Sequence, residues 1–421
     1  MRLSDPRWRP RLAAVRYNQS MTARVVTTLW CLFVLAGCGI RLDSVSAEVA
    51  PGGTLEIAGA GFTDQTQFSL SGSVEIALQV GEQSPTAVSA TVPQAAPAGT
   101  YTLRASAAGA KAELPDAVRV VSGGLEIHFL DIGQGDATLV VAPSGASLLI
   151  DGGPRSAAGV VKDAIRVLAR GRLDAVVLSH TDADHLGGLV ELLQGDDGAP
   201  GSNDDLVPEL RLTGIDDGSC TSQVCGDLRR LRAWPFQTPD VGDTIAALAG
   251  DGIEATVVAV DGDVGGGKIA GADDDNERCV AVRLAFGGNS VLITGDLTGG
   301  GAGEADVESA LATRIGPIDV LRASHHGSAT SSAAAALAAW QPRAIVLSLG
   351  TDNAYCHPAP EIIARLGAQG APIFATGQGI VADTARCDGA TEWPAQARPG
   401  LGSITLELRA DGTMILAGDA I

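Results

Sequence analysis

The sequence predicts a layered α/β fold preceded by a small β-sandwich, and three features of the chain predict it. From residue 125 onward, short apolar strands alternate with stretches of helical spacing, a pattern typical of α/β layers. Residues 44–121 instead show apolar alternation with frequent Gly and Pro turn signals and no helical period. A Ser-Gly-Gly joint at 122–124 separates the two patterns. We therefore expect a β-sandwich over 44–121 and an α/β domain over 125–421.

The sandwich prediction depends on alternating residues at 54–57 and 101–104, with turn signals at 51–53, 59–61 and 97–99. The runs PGGTLEIAGAGF and VPQAAPAGTYTLRAS resemble the immunoglobulin-like IPT/TIG domains. That resemblance implies a spacing or binding role. No residue of this region is expected to be catalytic.

The α/β prediction depends on a series of short buried strands. Strands are predicted at 126–131, 148–151, 174–179, 280–286, 290–294, 319–323 and 344–349, and helices at 158–169, from His185, near 306–314 and at 331–340. Two acidic loops, about 195–227 and 261–277, interrupt the series. These loops are interpreted as solvated surface, with a calcium site as the alternative.

Charge restricts the function. The chain has 29 Lys and Arg against 49 Asp and Glu, a net charge of −20. Such a surface repels a polyanion unless a basic groove or a bound cation offsets it. Composition therefore argues against a dedicated duplex-binding protein and leaves a metal enzyme open.

The N-terminus predicts export. Residues 25–37 form an apolar run after Arg24, too short for a bilayer span of about 20 residues but suited to a secretory signal. Residues 35–38 (LAGC) resemble the bacterial lipobox, in which the cysteine, here Cys38, is acylated. We expect a signal over 1–38, with Met21 the better start, and a lipid anchor in the cell or outer membrane, facing the periplasm or exterior. An ordinary cleaved signal or a short anchor is the alternative.

Five cysteines lie beyond the leader. In an oxidising compartment we expect Cys220 to pair with Cys225 and Cys356 with Cys387, leaving Cys279 free. The alternative is five buried thiols.

The histidines are the strongest signal in the sequence. The chain has six histidines. One of them, His128, lies within a predicted strand and is interpreted as structural. The other five follow strand ends, where a layered α/β fold places its active site. These five are His180, His185, His325, His326 and His357.

Four potential metal ligands lie within six residues after one buried strand: His180, Asp182, Asp184 and His185. Imidazole and carboxylate together suit Zn²⁺, Mn²⁺ or Fe. The string is hard to explain structurally, so it predicts a metal site.

The string HTDADHLGG resembles the first metal motif of metallo-β-lactamase-fold proteins, usually HxHxDH, and its Asp182 variant resembles the hydrolase domain of the ComEC/Rec2 family, associated with DNA uptake. Five further motifs match that family in order: FLDIGQGDATLV (129–140), LLIDGGP (148–154), NSVLITGD (289–296), VLRASHHGS (320–328) and NAYCHP (353–358). The resemblance implies a four-layer αββα fold over 125–421 and a metal-dependent hydrolase. Membrane-channel segments of the full family protein are not found here, so a competence role is not carried over.

The resemblance also implies a site with two divalent ions, Zn or Mn. Asp184, His185 and a bridging Asp296, with His325 or His326, would hold one ion. His180, Asp182 and Asp296 would contribute to the other. Asp184 and Asp296 would thus be catalytic as well as metal-binding.

Further residues are expected around that site. Ser328 and His357 are candidates for binding the phosphate or oxyanion of the substrate. Asp131 and Asp151 would hydrogen-bond the ligand imidazoles, unless they are simply strand-end or turn carboxylates.

Two features depart from the family pattern. The usual fold supplies a further histidine between the first motif and the bridging aspartate, but residues 186–324 contain none. Either an aspartate or water completes that site, or only one metal ion binds tightly. Oxygen ligands in place of nitrogen shift the metal preference from Zn²⁺ toward Mn²⁺. Cys279 falls where the family has the Ser of Asn-x-x-Ser, either as a free thiol near the site or as a small buried residue.

The leading functional hypothesis is a phosphodiesterase or nuclease, with phosphodiester or nucleic acid substrates and no nucleotide cofactor. A hydrolase of another ester, a lactone or an amide is the alternative, because fold does not fix substrate. A β-lactamase is disfavoured by Asp182 and the missing histidine. An alternative of another class is a lipoprotein that binds a surface polymer and carries an inactive hydrolase domain.

Overall fold

The structure is a computed structural model that describes residues 39–421 except 73, 94–95, 97–98, 108, 121–122, 196–205, 207–210, 214–221, 231–236, 384–385 and 388. The leader with Cys38, and Cys220, lie outside the described residues. Within the described part of the chain, no helix is long and apolar enough to cross a membrane.

The N-terminal region consists of two sheets around one apolar core. The strands are β1 (Arg41–Val45), β2 (Glu48–Val49), β3 (Thr54–Ala60), β4 (Gln67–Ser71), β5 (Glu75–Ala77), β6 (Gln79–Gln83), β7 (Ala87–Thr91), β8 (Gly99–Ala107) and β9 (Ala110–Val120). They form the sheets β1-β3-β7-β6 and β2-β9-β8-β4-β5. Alternate residues of β3, β4, β7 and β8 point inward, so Leu55 and Val88 of one sheet meet Leu70 and Leu103 of the other. This is the architecture of a β-sandwich.

The rest of the chain forms two larger sheets. The first has eight strands in the order β14-β13-β12-β11-β10-β22-β23-β24 and the second seven in the order β15 to β21. The strands are β10 (Gly124–Phe129), β11 (Thr138–Val141), β12 (Ser147–Ile150), β13 (Ala175–Leu178), β14 (Arg211–Thr213), β15 (Glu254–Ala259), β16 (Ala281–Phe286), β17 (Asn289–Ile293), β18 (Val320–Arg322), β19 (Ala344–Leu347), β20 (Ile373–Ala375), β21 (Ala397–Arg398), β22 (Ile404–Arg409), β23 (Met414–Leu416) and β24 (Asp419–Ala420).

Helices cover the outer faces of both sheets. They are α1 (Ala158–Leu168), α2 (Ala183–Gln194), α3 (Gln223–Arg230), α4 (Val307–Ile315), α5 (Ala334–Trp340) and α6 (Pro360–Gly367), with 3₁₀ turns at Arg155–Ala157, Ala246–Asp251, Gly301–Gly303 and Ser324–Gly327.

Three apolar clusters show that the layers are stacked as helix, sheet, sheet, helix. The central cluster joins residues of both sheets, such as Val177 and Val346. A second joins the eight-stranded sheet to α1 and α2, and a third joins the seven-stranded sheet to α4, α5 and α6. The predicted four-layer αββα fold is therefore confirmed.

The helix predicted to begin at His185 begins two residues earlier, because the carbonyl of Asp182 accepts hydrogen bonds from the amides of His185 and Leu186. Asp184 and His185 therefore share the first turn of α2. Gly188 lets this helix approach the loop after β12, since a Cβ there would lie 1.9 Å from the carbonyl oxygen of Gly152.

Candidate metal centre

Four imidazoles converge on the carboxylate of Asp296. The Nε2 atoms of His185, His326, His325 and His180 lie 3.3, 3.4, 3.7 and 3.9 Å from Asp296 Oδ2. Nε2 of His185 is also 3.2 Å from that of His326. Nitrogen atoms placed this closely around one carboxylate oxygen match the donor arrangement of a metal site.

Two of these imidazoles are oriented through one buried carboxylate, that of Asp151. His185 Nδ1 lies 2.8 Å from Asp151 Oδ2 and donates to it. His180 Nδ1 lies 3.0 Å from Ser179 Oγ, which itself donates to Asp151 Oδ2 at 2.6 Å. Since both Nδ1 atoms carry the proton, both Nε2 atoms offer a lone pair to a metal. Asp151 thus has the orienting position expected of it.

The HHGS segment orients its imidazoles in the same way. His326 Nδ1 donates to the carbonyl oxygen of Ser348 at 2.8 Å, and His325 Nδ1 lies 3.1 Å from Thr330 Oγ1. Both histidines have positive φ, 50° and 53°, a strained backbone conformation that is found at functional sites.

The two remaining predicted ligands border this cluster. Asp184 Oδ2 lies 3.6 Å from His326 Nε2, and Asp182 Oδ2 lies 3.6 Å from His180 Nε2. The structure therefore brings together all seven residues predicted to bind metal. Two overlapping triads of these predicted ligands have potential ligand atoms within 4.8 Å of one another: His180, His185 and Asp296, and Asp184, His185 and His326. A third such triad among the described residues is Asp136, Asp151 and His185. The second triad holds three of the four ligands expected for one ion and does not include Asp296. In the first, His185 stands where Asp182 was expected, and the Asp182 side chain is 54% exposed.

The residues fit divalent ions. His180 Nε2 and Asp296 Oδ1 are buried and have no hydrogen-bond partner among the described residues, an arrangement that costs stability unless another group binds there. The mixed nitrogen and oxygen donor set suits Zn²⁺ or Mn²⁺.

The charges of the metal-free site are strongly coupled. Burial favours neutral Asp296, but His185, His326 and His325 hold its pKa well below the usual range. Burial favours neutral His185, but Asp296 and Asp151 raise its pKa well above the usual range. Protons thus occupy the positions where metal ions would bind, so metal affinity should fall as pH falls.

The fold places these ligands together because each follows a strand end. β13 ends at Leu178, β17 at Ile293 and β18 at Arg322, and the ligands lie within the next seven residues of each. β17 and β18 are parallel neighbours, so Asp296 and the HHGS segment leave the same edge of their sheet.

The two predicted substrate-binding residues are placed differently. His357 faces the centre: its ring lies 5.7 Å from that of His325 and stacks on Tyr355 at 5.8 Å between centroids. Burial, with His326 and His325, lowers the pKa of His357 to about 4. Ser328 is buried behind His325, and its hydroxyl contacts Thr330 Oγ1 at 3.2 Å.

The loop that carries His357 is held by Asn353. Its Nδ2 donates to the carbonyl oxygen of His357 at 2.6 Å, and its Oδ1 accepts from the amide of His357 at 2.9 Å. The predicted disulfide between Cys356 and Cys387 is confirmed. Cys225 is also disulfide-bonded, while Cys220, its predicted partner, lies outside the described residues.

Three further predictions can be compared with the structure. Asp131 does not reach an imidazole: it is exposed in a turn, where its carboxylate accepts from the amide of Gly133. His128 is a strand residue that bonds Thr405 and Glu126. Cys279 is free and fully buried, yet it also borders the site, since the amide of Asp296 donates to its sulfur at 3.3 Å.

Sequence reasoning missed two buried charged residues, Asp136 and Arg322. Both are at most 1% exposed, and Arg322 Nε lies 2.9 Å from Asp136 Oδ2. Both lie inside strings that resemble the family, GQGD and VLRASHHGS, but nothing in either string pairs one residue with the other. Among the described residues, no group of potential metal ligands includes a residue between 186 and 295, so no described residue of that segment replaces the missing histidine.

An open cleft of about 1270 Å³ borders the ligands and is strongly acidic. Its carboxylates belong to Asp182, Asp184, Asp227, Asp273, Asp274, Asp275 and Glu304. Arg155 is the basic side chain among the described lining residues, and it pairs with Asp227 and Glu191.

Three curated proteins are similar to this chain. Recombination protein 2 of Haemophilus influenzae is 28% identical over 57% of this chain and 26% of its own length. Competence protein ComA of Neisseria gonorrhoeae is 29% identical over 58% of this chain and 30% of its own length. ComE operon protein 3 of Bacillus subtilis is 24% identical over 60% of this chain and 32% of its own length. The chain thus spans about a third or less of the length of each relative.

Among solved structures, a DUF4784 family protein from Bacteroides caccae matches 24% of this chain and 29% of its own, with 15% identity and a TM-score of 0.17, which carries no argument. The sequence profile described as "Metallo-beta-lactamase superfamily" matches residues 130–350, slightly more than half of the chain, and includes the strand-end ligands up to His326. The four-layer fold, the converging imidazoles and this match agree, and the chain belongs to the metallo-beta-lactamase superfamily.

Proposed function

We propose that this protein is a metal-dependent hydrolase of phosphodiesters that uses two divalent ions, Zn²⁺ or Mn²⁺. The observation that carries the proposal is the convergence of four Nε2 atoms within 3.9 Å of Asp296 Oδ2. Such ions would activate a water molecule as nucleophile and polarise the substrate's phosphoryl oxygens.

The protein's own residues hold and orient this centre. Asp296 is central to both ligand triads, directly in one and through contacts to His185 and His326 in the other. Asp151 fixes the tautomer of His185 and, through Ser179, that of His180. His357 stays neutral near pH 7, because its pKa is about 4, so one ring nitrogen can donate a hydrogen bond to a substrate oxygen.

Nucleic acid is a candidate phosphodiester because the similar proteins are called recombination and competence proteins. The acidic cleft and the net charge of −20 oppose a long polyanion near the centre unless bound cations offset them. We therefore expect a small phosphodiester or a short single strand of nucleic acid to be a better substrate than duplex DNA.

The test is a substrate panel with the purified protein, reconstituted with Zn²⁺ or Mn²⁺ after chelation. The panel contains bis(p-nitrophenyl) phosphate, single- and double-stranded DNA, p-nitrophenyl acetate, a lactone and a β-lactam. We expect metal-dependent turnover of the phosphodiesters, with Mn²⁺ serving at least as well as Zn²⁺. Turnover that survives exhaustive chelation would refute the proposal.

Two other outcomes of this panel have distinct meanings. Hydrolysis restricted to the acetate or the lactone would move the assignment to the alternative ester or lactone hydrolase. Metal binding without turnover on any substrate would favour a binding lipoprotein with an inactive domain.

We also propose that the protein is exported and anchored by lipid on Cys38, on the strength of the LAGC tetrapeptide after an apolar run. Such an anchor would hold the 44–121 region between the membrane and the hydrolase region. A fatty-acid probe should label the wild type in cells and not Cys38→Ala. Equal labelling of the two proteins would contradict the anchor.

A further inference from the structure

Arg322 is one of the largest fully buried side chains of the molecule, and its guanidinium lies behind the metal ligands. It is the last residue of β18, four positions before His326. Nη1 donates to the carbonyl oxygen of Gly295 at 2.6 Å and lies 3.7 Å from Asp296 Oδ1. Nη2 packs 3.1 Å from His326 Nδ1 but does not donate to it, because that nitrogen carries the proton given to the carbonyl oxygen of Ser348. One side chain therefore touches both the bridging carboxylate and the HHGS segment.

The partner of Arg322 comes from the other sheet. Asp136 lies on the loop between β10 and β11, and its Oδ2 is 2.9 Å from Arg322 Nε, an ion-pair contact without hydrogen-bond geometry. Its backbone amide donates to the carbonyl oxygen of Asp184, a predicted ligand on the first turn of α2. A carboxylate oxygen of Asp136 also lies within 4.8 Å of a carboxylate oxygen of Asp151 and of a ring nitrogen of His185. The ion pair thus links the ligands of one sheet to those of the other.

The two oxygens of Asp296 have different surroundings. Oδ2 faces the four Nε2 atoms, whereas Oδ1 faces Arg322 and has no hydrogen-bond partner among the described residues. A fixed positive charge behind Oδ1 favours the carboxylate orientation that presents Oδ2 to the imidazoles. Unlike the histidines, arginine keeps its charge whether or not metal is bound.

We propose that Arg322 and Asp136 form a positioning pair that sets the orientation of Asp296 and the register of the two ligand groups before metal binds. Arg322 contributes the charge that compensates the buried carboxylates, and Asp136 holds the guanidinium at that position. Neither residue touches substrate. The inference rests on the proposed metal centre but not on the identity of the substrate.

The experiment measures the Kd for Zn²⁺ and for Mn²⁺, by competition with a chromophoric chelator, on Arg322→Gln, Asp136→Asn and the double variant. Loss of groups that hold metal ligands in place typically weakens metal affinity by about 10- to 100-fold, and we expect that from each single variant. The double variant should lose less metal affinity than the product of the two single fold-changes, because each single variant already removes the same ion pair.

Two further variants separate positioning from general stability. Arg322→Lys keeps the charge but cannot reach Asp136 and Gly295 together, so its Kd should lie between those of the wild type and Arg322→Gln. Leu321→Val alters the neighbouring buried residue of the same strand; it should lower Tm and leave the metal Kd unchanged. If Arg322→Gln does not fold, Arg322→Lys and Asp136→Asn carry the test.

If Asp136→Asn and Arg322→Lys fold and bind metal with the wild-type Kd, the inference is overturned. It is also overturned if the fold-change in Kd of the double variant equals the product of the fold-changes of the two single variants. These measurements do not require turnover. A wild-type protein that binds metal but hydrolyses nothing would overturn the proposed function and not the positioning pair.

Discussion

The N-terminal sandwich and the α/β region use their cores differently. Among the described residues of 39–120, the buried polar side chain is Thr66, and the interior is otherwise apolar. The α/β region buries Asp136, Asp151, Asp296, Arg322 and several histidines near one edge of its sheets. Buried charge lowers stability unless it is paired, so its concentration at one edge identifies where the fold serves chemistry.

This difference predicts two kinds of response to mutation. Changes in the sandwich should affect stability alone. Changes near the sheet edge should affect metal binding and turnover, by amounts that depend on distance from Asp296.

The largest effect is expected for Asp296→Ala. The variant loses the carboxylate around which four imidazoles converge, and the two proposed cations would then face each other without the negative charge that screens their repulsion. We expect metal content to fall and turnover to drop by about 10³-fold or more. Metal analysis and initial rates on bis(p-nitrophenyl) phosphate check this.

The matched control is His128→Ala, which removes a buried histidine whose partners are Thr405 and Glu126 rather than a metal ligand. Once folding is verified, its metal content and turnover should stay close to wild type. Unchanged metal content and rate in Asp296→Ala would refute the two-ion centre.

An intermediate effect is expected for Asn353→Ala. Its side chain holds the backbone of His357 at both the amide and the carbonyl, and a displaced catalytic-site residue costs about 10- to 100-fold in kcat/KM. Metal content should be unchanged, because Asn353 contacts no predicted ligand of the ions. Steady-state kinetics and metal analysis together check the prediction.

Asn289→Ala is the control for this change. Asn289 is also buried, and its side-chain Nδ2 donates to the carbonyl oxygen of Gly412. It lies at the start of β17, whereas Asp296 follows the other end of that strand. A loss of kcat/KM as large in Asn289→Ala as in Asn353→Ala would show that the loop effect is merely structural.

A smaller effect, on stability rather than turnover, is expected from Glu308. Burial raises the pKa of this carboxyl to about 7 from 4.5, although the amides of Ser332 and Ala333 donate to it. Below pH 4.5 it is protonated in both folded and unfolded chains. As pH rises from 4.5 to about 7 the unfolded chain ionises first, so the folded state loses on the order of 3 kcal/mol relative to it, and the loss levels off above 7.

Glu308→Gln should remove this part of the pH dependence, so the difference in Tm between pH 5 and pH 8 should shrink. Thermal melts of both proteins across that range measure it. Parallel curves for wild type and variant would contradict a raised pKa at this position.

The sequence allowed prediction of the strand-end ligands because each follows an apolar strand within a short, unusual string. His180 and His185 needed no knowledge of distant contacts, whereas Asp296 was expected from the resemblance of NSVLITGD to the family's motif. Asp151 and Asp131 show where that reasoning stops: both follow apolar strands, yet only the loop after β12 passes beneath α2, where Asp151 meets His185.

Arg322 and Asp136 were missed for a related reason. Each has an ordinary local sequence, and its role arises from a partner on the other sheet. Propensity and spacing describe one segment at a time, so an ion pair between sheets leaves no local signal. Of the two acidic loops with a calcium site as the alternative, residues 196–205 lie outside the described residues, whereas Asp273, Asp274 and Asp275 line the acidic cleft.

The smallest effect on turnover is expected from removal of the sandwich. The predicted boundary at 122–124 and the apolar, histidine-free N-terminal region suggest that chemistry does not need it. Glu48 and Arg170 form an ion pair between the two regions at 3.0 Å, but both side chains are more than a third exposed, so the pair contributes at most about 1 kcal/mol.

A protein beginning at Gly123 should therefore fold, bind metal and hydrolyse a small phosphodiester at close to the wild-type rate. Leu103→Ala in the full chain provides the complementary test: a cavity in the sandwich core should cost about 2–5 kcal/mol in that region and leave kcat/KM unchanged. A soluble, folded fragment from Gly123 without metal-dependent turnover would show that the sandwich contributes to the site, and the contrast between the two cores would then no longer separate stability from chemistry.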